Sequence, residues 1–281
     1  MNPKTLQELF RHGADLLQDR PQSVLEAKVL LLRAARLSEE DFLAAPHTPL
    51  APKTEAFFLR LVEKRKEGVP LSYLTGTKEF WSIPLRVSPS VLIPRPETEI
   101  LVEKVLELSC RDPETILDAG TGSGNIAIAL AKELPRARIY AADISLRALN
   151  VARSNASLQK VRQVDFLRSN LFSAFRGTGI RFDFIVSNPP YIAKVDWQNL
   201  PPEIRDFEPR RALLAGESGL EFVERLVRQA GRFLRRGGYL IFEIGDGQRD
   251  NVLGLFGQRW TEIETAWDLA GKPRVITARR A

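Results

Sequence analysis

Thr115-Ile116-Leu117-Asp118-Ala119-Gly120-Thr121-Gly122-Ser123-Gly124-Asn125-Ile126-Ala127-Ile128-Ala129-Leu130-Ala131 runs from a short apolar stretch through alternating glycines into a second, longer apolar stretch. The first stretch has the length and β-branched content of a buried strand, and the last opens a helix. The glycines between them mark a tight turn. Strand, turn and helix in that order make an α/β unit whose turn lets a ligand approach the backbone closely. The free amides of the helix N-terminus face that ligand.

The glycine spacing narrows the ligand. Glycines fall at 120, 122 and 124 with Asn125 next, so the third glycine of a dinucleotide G-x-G-x-x-G is missing and a pyrophosphate is disfavoured. About nineteen residues beyond the turn, a second strand, Arg138-Ile139-Tyr140-Ala141-Ala142, ends in Asp143, placed to bind a ribose hydroxyl pair. A ligand with ribose, adenine and an amino-acid tail fits this pattern, and S-adenosylmethionine is one.

Further on, Ile185-Val186-Ser187 leads into Asn188-Pro189-Pro190-Tyr191. Two prolines fix φ and carry no N–H, which leaves backbone carbonyls to accept hydrogen bonds. The Asn188 oxygen and the Pro189 carbonyl are expected to hold the two hydrogens of a planar –NH2 group. The Tyr191 ring is expected to offer a flat face to the conjugated group.

These segments resemble a class I S-adenosylmethionine-dependent methyltransferase, and others narrow the family. Ile93-Pro-Arg-Pro-Glu-Thr-Glu99, Glu208-Pro209 with Ala212-Leu213, and Asp268-Leu-Ala-Gly-Lys-Pro-Arg-Val275 look like bacterial peptide chain release factor glutamine N5-methyltransferases. The resemblance runs in order along nearly the whole chain. It implies methyl transfer to the side-chain amide nitrogen of the glutamine in the Gly-Gly-Gln motif of release factors. By the same resemblance, Asn188, Pro189, Pro190 and Tyr191 are the catalytic set. Cofactor contacts are implied for Asp118, Ala119, Gly120, Thr121, Gly122, Ser123, Gly124, Asp143, Asn170, Leu171, Asn188 and Arg95. Arg95 is expected to border the methionine end or to pair with a nearby acid. At Asn170-Leu171 the family often has an acid followed by an aromatic. Glu243 is expected to be a strand-end carboxylate satisfied by neighbouring backbone. Two other targets stay open: a glutamine of a ribosomal protein, and the amino group of adenine in DNA or RNA.

The 281 residues, 44% hydrophobic and 27% charged, suffice for a catalytic domain and a smaller one. We expect a helical substrate-recognition domain over 1–75, a hairpin linker over 76–92 and an α/β methyltransferase domain over 93–281. That last domain is expected to hold a Rossmann-like seven-stranded sheet. Later strands are expected at 164–168, 182–187, 239–244, 261–267 and 274–278, the last two joined without a helical crossover. A single cysteine, Cys110, and two scattered histidines argue for no disulfide and no metal. No signal-peptide core or membrane-length apolar run is present, so a cytoplasmic protein is expected. The net charge of +6 is spread thinly, with 11 Lys and Arg against 10 Asp and Glu through Glu67. Short basic runs such as Lys64-Arg65-Lys66 therefore read as solvated faces, and the expected partner is a release factor, not nucleic acid, met by a monomer.

Overall fold

The computed structural model describes residues 4–281, which divide into two compact units. One comprises the chain up to Thr77 together with Pro201–Phe207, and the other comprises Lys78–Leu200 with Glu208–Ala281.

The first unit is helical: α1 (Leu6–Leu16), α2 (Ser23–Ala35), α3 (Glu39–Ala44), α4 (Pro52–Lys66) and α5 (Leu71–Thr75). Two starts are set by capping boxes. Thr5 accepts from the Glu8 amide while Glu8 reaches back to the Thr5 amide, and Ser38 and Asp41 repeat the device. Pro52 opens α4, where a missing N–H costs nothing. Leu6, Leu9, Leu30, Leu31, Phe58 and Val62 meet in its core. At Gly13 an added Cβ would lie 2.4 Å from Phe58 Cζ. Phe58 is fully buried and has nowhere to move. Although Ala normally exceeds Gly in a helix interior by about 1 kcal/mol, Gly13→Ala is expected to lower stability by about 1–2 kcal/mol through overpacking. Urea unfolding should show a lower midpoint at unchanged slope.

Of the basic run Lys64-Arg65-Lys66, Arg65 departs from the solvated face expected of it. It is only 4% exposed and grips Glu26 with two hydrogen bonds of 3.0 and 2.7 Å. Its Nη1 donates to the Val69 carbonyl, and Nη2 lies 3.0 Å from Glu203 of the Pro201–Phe207 segment. Charge runs report composition, whereas the helix rotation decides which member turns inward.

The second unit begins with the hairpin β1 (Thr77–Phe80) and β2 (Ile83–Arg86). Its turn residues Trp81 and Ser82 both have φ of 54°, and Glu99 accepts from the Trp81 amide at 2.7 Å. There follow a 3-10 turn (Pro96–Thr98), α6 (Glu99–Leu108), β3 (Thr115–Ala119), α7 (Asn125–Glu133), β4 (Arg138–Asp143), α8 (Leu146–Leu158), β5 (Val164–Arg168) and β6 (Phe182–Ser187). The chain continues through β7 (Ile192–Ala193), α9 (Pro202–Phe207, in the first unit), α10 (Arg210–Leu213), β8 (Leu214–Gly216) and α11 (Glu221–Ala230). It ends with β9 (Leu234–Glu243), α12 (Arg249–Leu253), β10 (Trp260–Trp267) and β11 (Pro273–Arg280).

Seven strands form one sheet in the order β10-β11-β9-β6-β3-β4-β5. All neighbours from β9 to β5 pair in parallel, and β11 is the reversed strand between β9 and β10. Apolar clusters cover both faces, which is why the central strands read as continuous apolar runs. β9 starts at Leu234, before the expected 239. Its start, Arg235-Arg236-Gly237-Gly238, lacks an apolar pattern. Leu234 pairs with Phe182 and Tyr239 with Phe184, with a register shift between them, so Arg235–Gly238 bulge past β6. Gly238 lets β6 approach, since a Cβ there would lie 2.9 Å from the Asp183 carbonyl oxygen. From β3 the chain moves outward to β4 and β5, then returns to β6 on the other side of β3. That reversal opens a crevice at the carboxyl ends of these strands. Among the described residues, no helix is long and apolar enough to cross a membrane, and no group of three or more His, Cys, Asp or Glu could hold a metal.

Candidate active site

A cavity of about 850 Å³ occupies this crevice. Its floor is the glycine turn. The Gly120 and Thr121 amides donate to the Ala142 carbonyl at 2.7 and 3.0 Å, which pins the turn to the end of β4. Gly120 and Gly122 have φ of 86° and 55°. That handedness frees the Gly122 amide to reach Asp143 Oδ2 at 3.0 Å, while the Ser145 amide donates to Oδ1 at 2.8 Å. Burial raises the Asp143 pKa, opposed by these two donors and by Arg211. The carboxylate thus has two lone-pair positions taken by backbone and others open to the cavity.

Gly124 serves another purpose. It does not line the cavity, and a Cβ there would lie 3.1 Å from both Ala152 Cβ and Ile128 Cδ1, so it permits close packing of α8 on α7. Asp118 and Ala119 also lie outside the cavity wall, fully buried at the end of β3. Asp118 Oδ2 accepts from the Thr121 hydroxyl at 2.6 Å, and burial pushes its pKa up to about 7. It shapes the turn from beneath. Asn155 was not singled out from sequence. Buried on α8, it bonds the Arg86 backbone at both N–H and C=O and donates to the Ser123 carbonyl at 2.8 Å, joining hairpin and turn.

Asn188 stands at the cavity because β6 pairs directly with β3, and Ser187 Oγ donates to the Ala119 carbonyl at 2.6 Å. Pro189 and Pro190 also line it. Asn188 Nδ2 donates to Thr98 Oγ1 at 2.9 Å, and Thr98 Oγ1 donates to Glu243 Oε2 at 2.6 Å. Thr98 and Glu243 are both nearly inaccessible. Glu243 therefore differs from expectation: its partner is a side-chain hydroxyl from a distant turn, where neighbouring backbone had been expected. Burial raises its pKa to about 7 despite Thr98 and Arg274. Tyr191 is not in the cavity wall. Its Cδ2 packs 3.0 Å from where a Cβ on Gly245 would sit, and its carbonyl accepts from Gln248 Nε2 at 2.9 Å. Burial, reinforced by Glu243, raises the pKa of its hydroxyl.

Arg95 lines the cavity and pairs with Glu208, the nearby acid raised from sequence. The second Glu208 oxygen accepts from the Ile93 amide at 3.1 Å, so one buried carboxylate clamps both ends of Ile93-Pro-Arg95. Asn170 and Leu171 line the cavity too. Asn170 Oδ1 accepts from Arg225 at 2.8 Å, and Leu171 holds φ of 50° while Ser169 Oγ donates to its carbonyl at 2.6 Å.

An S-adenosylmethionine molecule fits these residues. The volume is in the range of small-ligand sites, Asp143 presents acceptors for a diol, and positive-φ glycines open the backbone.

Residues 96–200 match the family model "Methyltransferase small domain", and residues 8–76 match "PrmC N-terminal domain". Among solved structures, a methyltransferase from Pyrococcus furiosus shares the fold, with a TM-score of 0.55 at 17% identity over 77% of this chain and 98% of that one. The release factor glutamine methyltransferase of Koribacter versatilis is 39% identical over 98% of this chain and 99% of its own. That of Moorella thermoacetica is 42% identical over 93% and 92%. With its seven-stranded sheet, its cavity at the switch of strand order and this similarity along its length, the chain belongs to the release factor glutamine methyltransferase family.

Proposed function

We propose that this chain methylates the side-chain amide nitrogen of the Gly-Gly-Gln glutamine of peptide chain release factors, with S-adenosylmethionine as methyl donor. The observation that carries the reading is the orientation of Asn188. Its NH2 is committed to Thr98, so its oxygen is left for a substrate hydrogen. Bound S-adenosylmethionine supplies a methyl group made electrophilic by a sulfonium leaving group. Asp143 would hold the ribose hydroxyls, and the glycine turn and Arg95 would hold the remainder of the cofactor.

An amide nitrogen shares its lone pair with its carbonyl and is a poor nucleophile. Asn188 Oδ1 and the Pro189 carbonyl accept its two hydrogens and aim the nitrogen along the line of attack. Both bonds strengthen as positive charge develops on nitrogen, so they favour the transition state over the ground state. No base is needed, because the methylated nitrogen is strongly acidic and loses its proton afterwards. Tyr191 supports the loop from behind by packing on Gly245.

A glutamine amide is too small to distinguish one protein from another, so selectivity rests on contacts remote from the reacting group. We assign that work to the helical unit. Incubation with labelled cofactor and either an intact release factor or a short Gly-Gly-Gln peptide, read by mass spectrometry, tests both points. Label on that glutamine, with kcat/KM at least about tenfold higher for the intact protein, is expected. Label confined to another residue or to nucleic acid would refute the activity. Equal efficiency on both substrates would refute the recognition role.

A further inference from the structure

We propose that Thr98 and Glu243 form a positioning relay that sets the polarity of the Asn188 amide, and that only the ionised form of Glu243 holds Asn188 ready for substrate. The inference rests on the proposed role of Asn188 and adds two residues to it. Hydrogen-bond arithmetic carries it. A threonine hydroxyl has a single hydrogen, and that hydrogen is given to Glu243 Oε2 at 2.6 Å. Toward Asn188 the hydroxyl can then only accept, which it does from Nδ2 at 2.9 Å. The amide is thereby turned with Oδ1 to the cavity.

Protonation reverses the chain. A neutral Glu243 carboxyl can donate to Thr98, whose own hydrogen is then free to point at Asn188. The amide satisfies that donor only by turning its oxygen to Thr98 and its NH2 to the cavity, which places a donor where the substrate needs an acceptor. The surroundings put this change within reach of ordinary conditions. Glu243 is buried, with Glu97 and Thr98 facing it from the turn before α6, Arg274 from β11 and Tyr191 from the loop after β6. Arg274 is itself engaged by Asp268 at 2.8 Å, so its charge is shared. With a pKa of about 7, Glu243 changes form near neutrality.

The test is single-turnover methylation of a release factor at saturating cofactor across about pH 5.5 to 9, with cofactor affinity measured by calorimetry. Wild type should gain rate with pH through the neutral range. Thr98→Val should lose about tenfold to a hundredfold in rate at high pH and lose the acidic limb, with cofactor affinity kept within about threefold. Thr98→Ser should restore both rate and limb. Glu243→Gln, whose amide oxygen still accepts from Thr98 but which cannot ionise, should lose the acidic limb. Should Thr98→Val fail to fold, Glu243→Gln and the wild-type profile decide alone. A wild-type rate without an acidic limb, or full rate and limb in Thr98→Val, overturns the relay while leaving the function standing. Absence of glutamine methylation by wild type at every pH overturns the function and the relay together.

Discussion

Asn188→Ala is expected to lower turnover by about 10²–10³ while leaving cofactor affinity within a few-fold. That is the scale for deleting one preorganised hydrogen bond made to developing charge, about 2.7–4 kcal/mol. The substitution removes the acceptor at the cavity and the donor to Thr98 at the same time. Asn188→Asp should fail as well. Thr98 has given its hydrogen to Glu243, so an aspartate would set a carboxylate oxygen against the lone pairs of Thr98, next to a second buried acid. Size and acceptor are preserved in that variant, but the donor to Thr98 is lost and a negative charge is added. Single-turnover methyl transfer at saturating cofactor is the measurement, and a near-normal rate for Asn188→Ala would sink the role given to it.

Asp143→Ala is expected to weaken S-adenosylmethionine binding by about 1.5–3 kcal/mol, the range for hydrogen bonds to a charged group. In dissociation constant this is roughly tenfold to 150-fold. Two effects combine. The ribose loses its acceptor, and the Gly122 and Ser145 amides lose theirs, so the turn itself is loosened. Asp143→Asn should fall between the two, since an amide keeps one acceptor but opposes the second amide with its own hydrogens. Calorimetric titration distinguishes the three proteins, and an unchanged constant in Asp143→Ala would remove this carboxylate from the site.

Much of the site was legible from local sequence because its parts are local devices. Glycines at 120 and 122 announce positive φ wherever they occur, and an acid ending the next strand must emerge at the same sheet edge in a parallel α/β unit. Asn188-Pro-Pro-Tyr191 carries its stiffness in its own residues. The antiparallel close of the sheet was visible in the absence of a helix between the last two apolar runs. Of that motif, Asn188 lines the cavity and Tyr191 does not. A motif shows which groups are available, but the backbone after two prolines decides which of them face the cavity, and here the ring lies against Gly245.

By itself, then, the amino-acid sequence determined the strand-turn-helix, the layered α/β architecture, the helical nature of the first segment and the Asn188-Pro-Pro loop that lines the cavity. All of these rest on periodicity and backbone preference within a few residues. The tertiary structure alone decided the pairings of buried polar groups. Thr98 meets Glu243 across 145 positions and Asn188 across 90, Glu26 meets Arg65 across 39, and Pro201–Phe207 joins the helical unit although it follows Asn188-Pro-Pro-Tyr191. Such partners are chosen by strand order and helix rotation, and a buried charge or hydroxyl must find its partner wherever the fold brings one within reach. No local pattern encodes that distance.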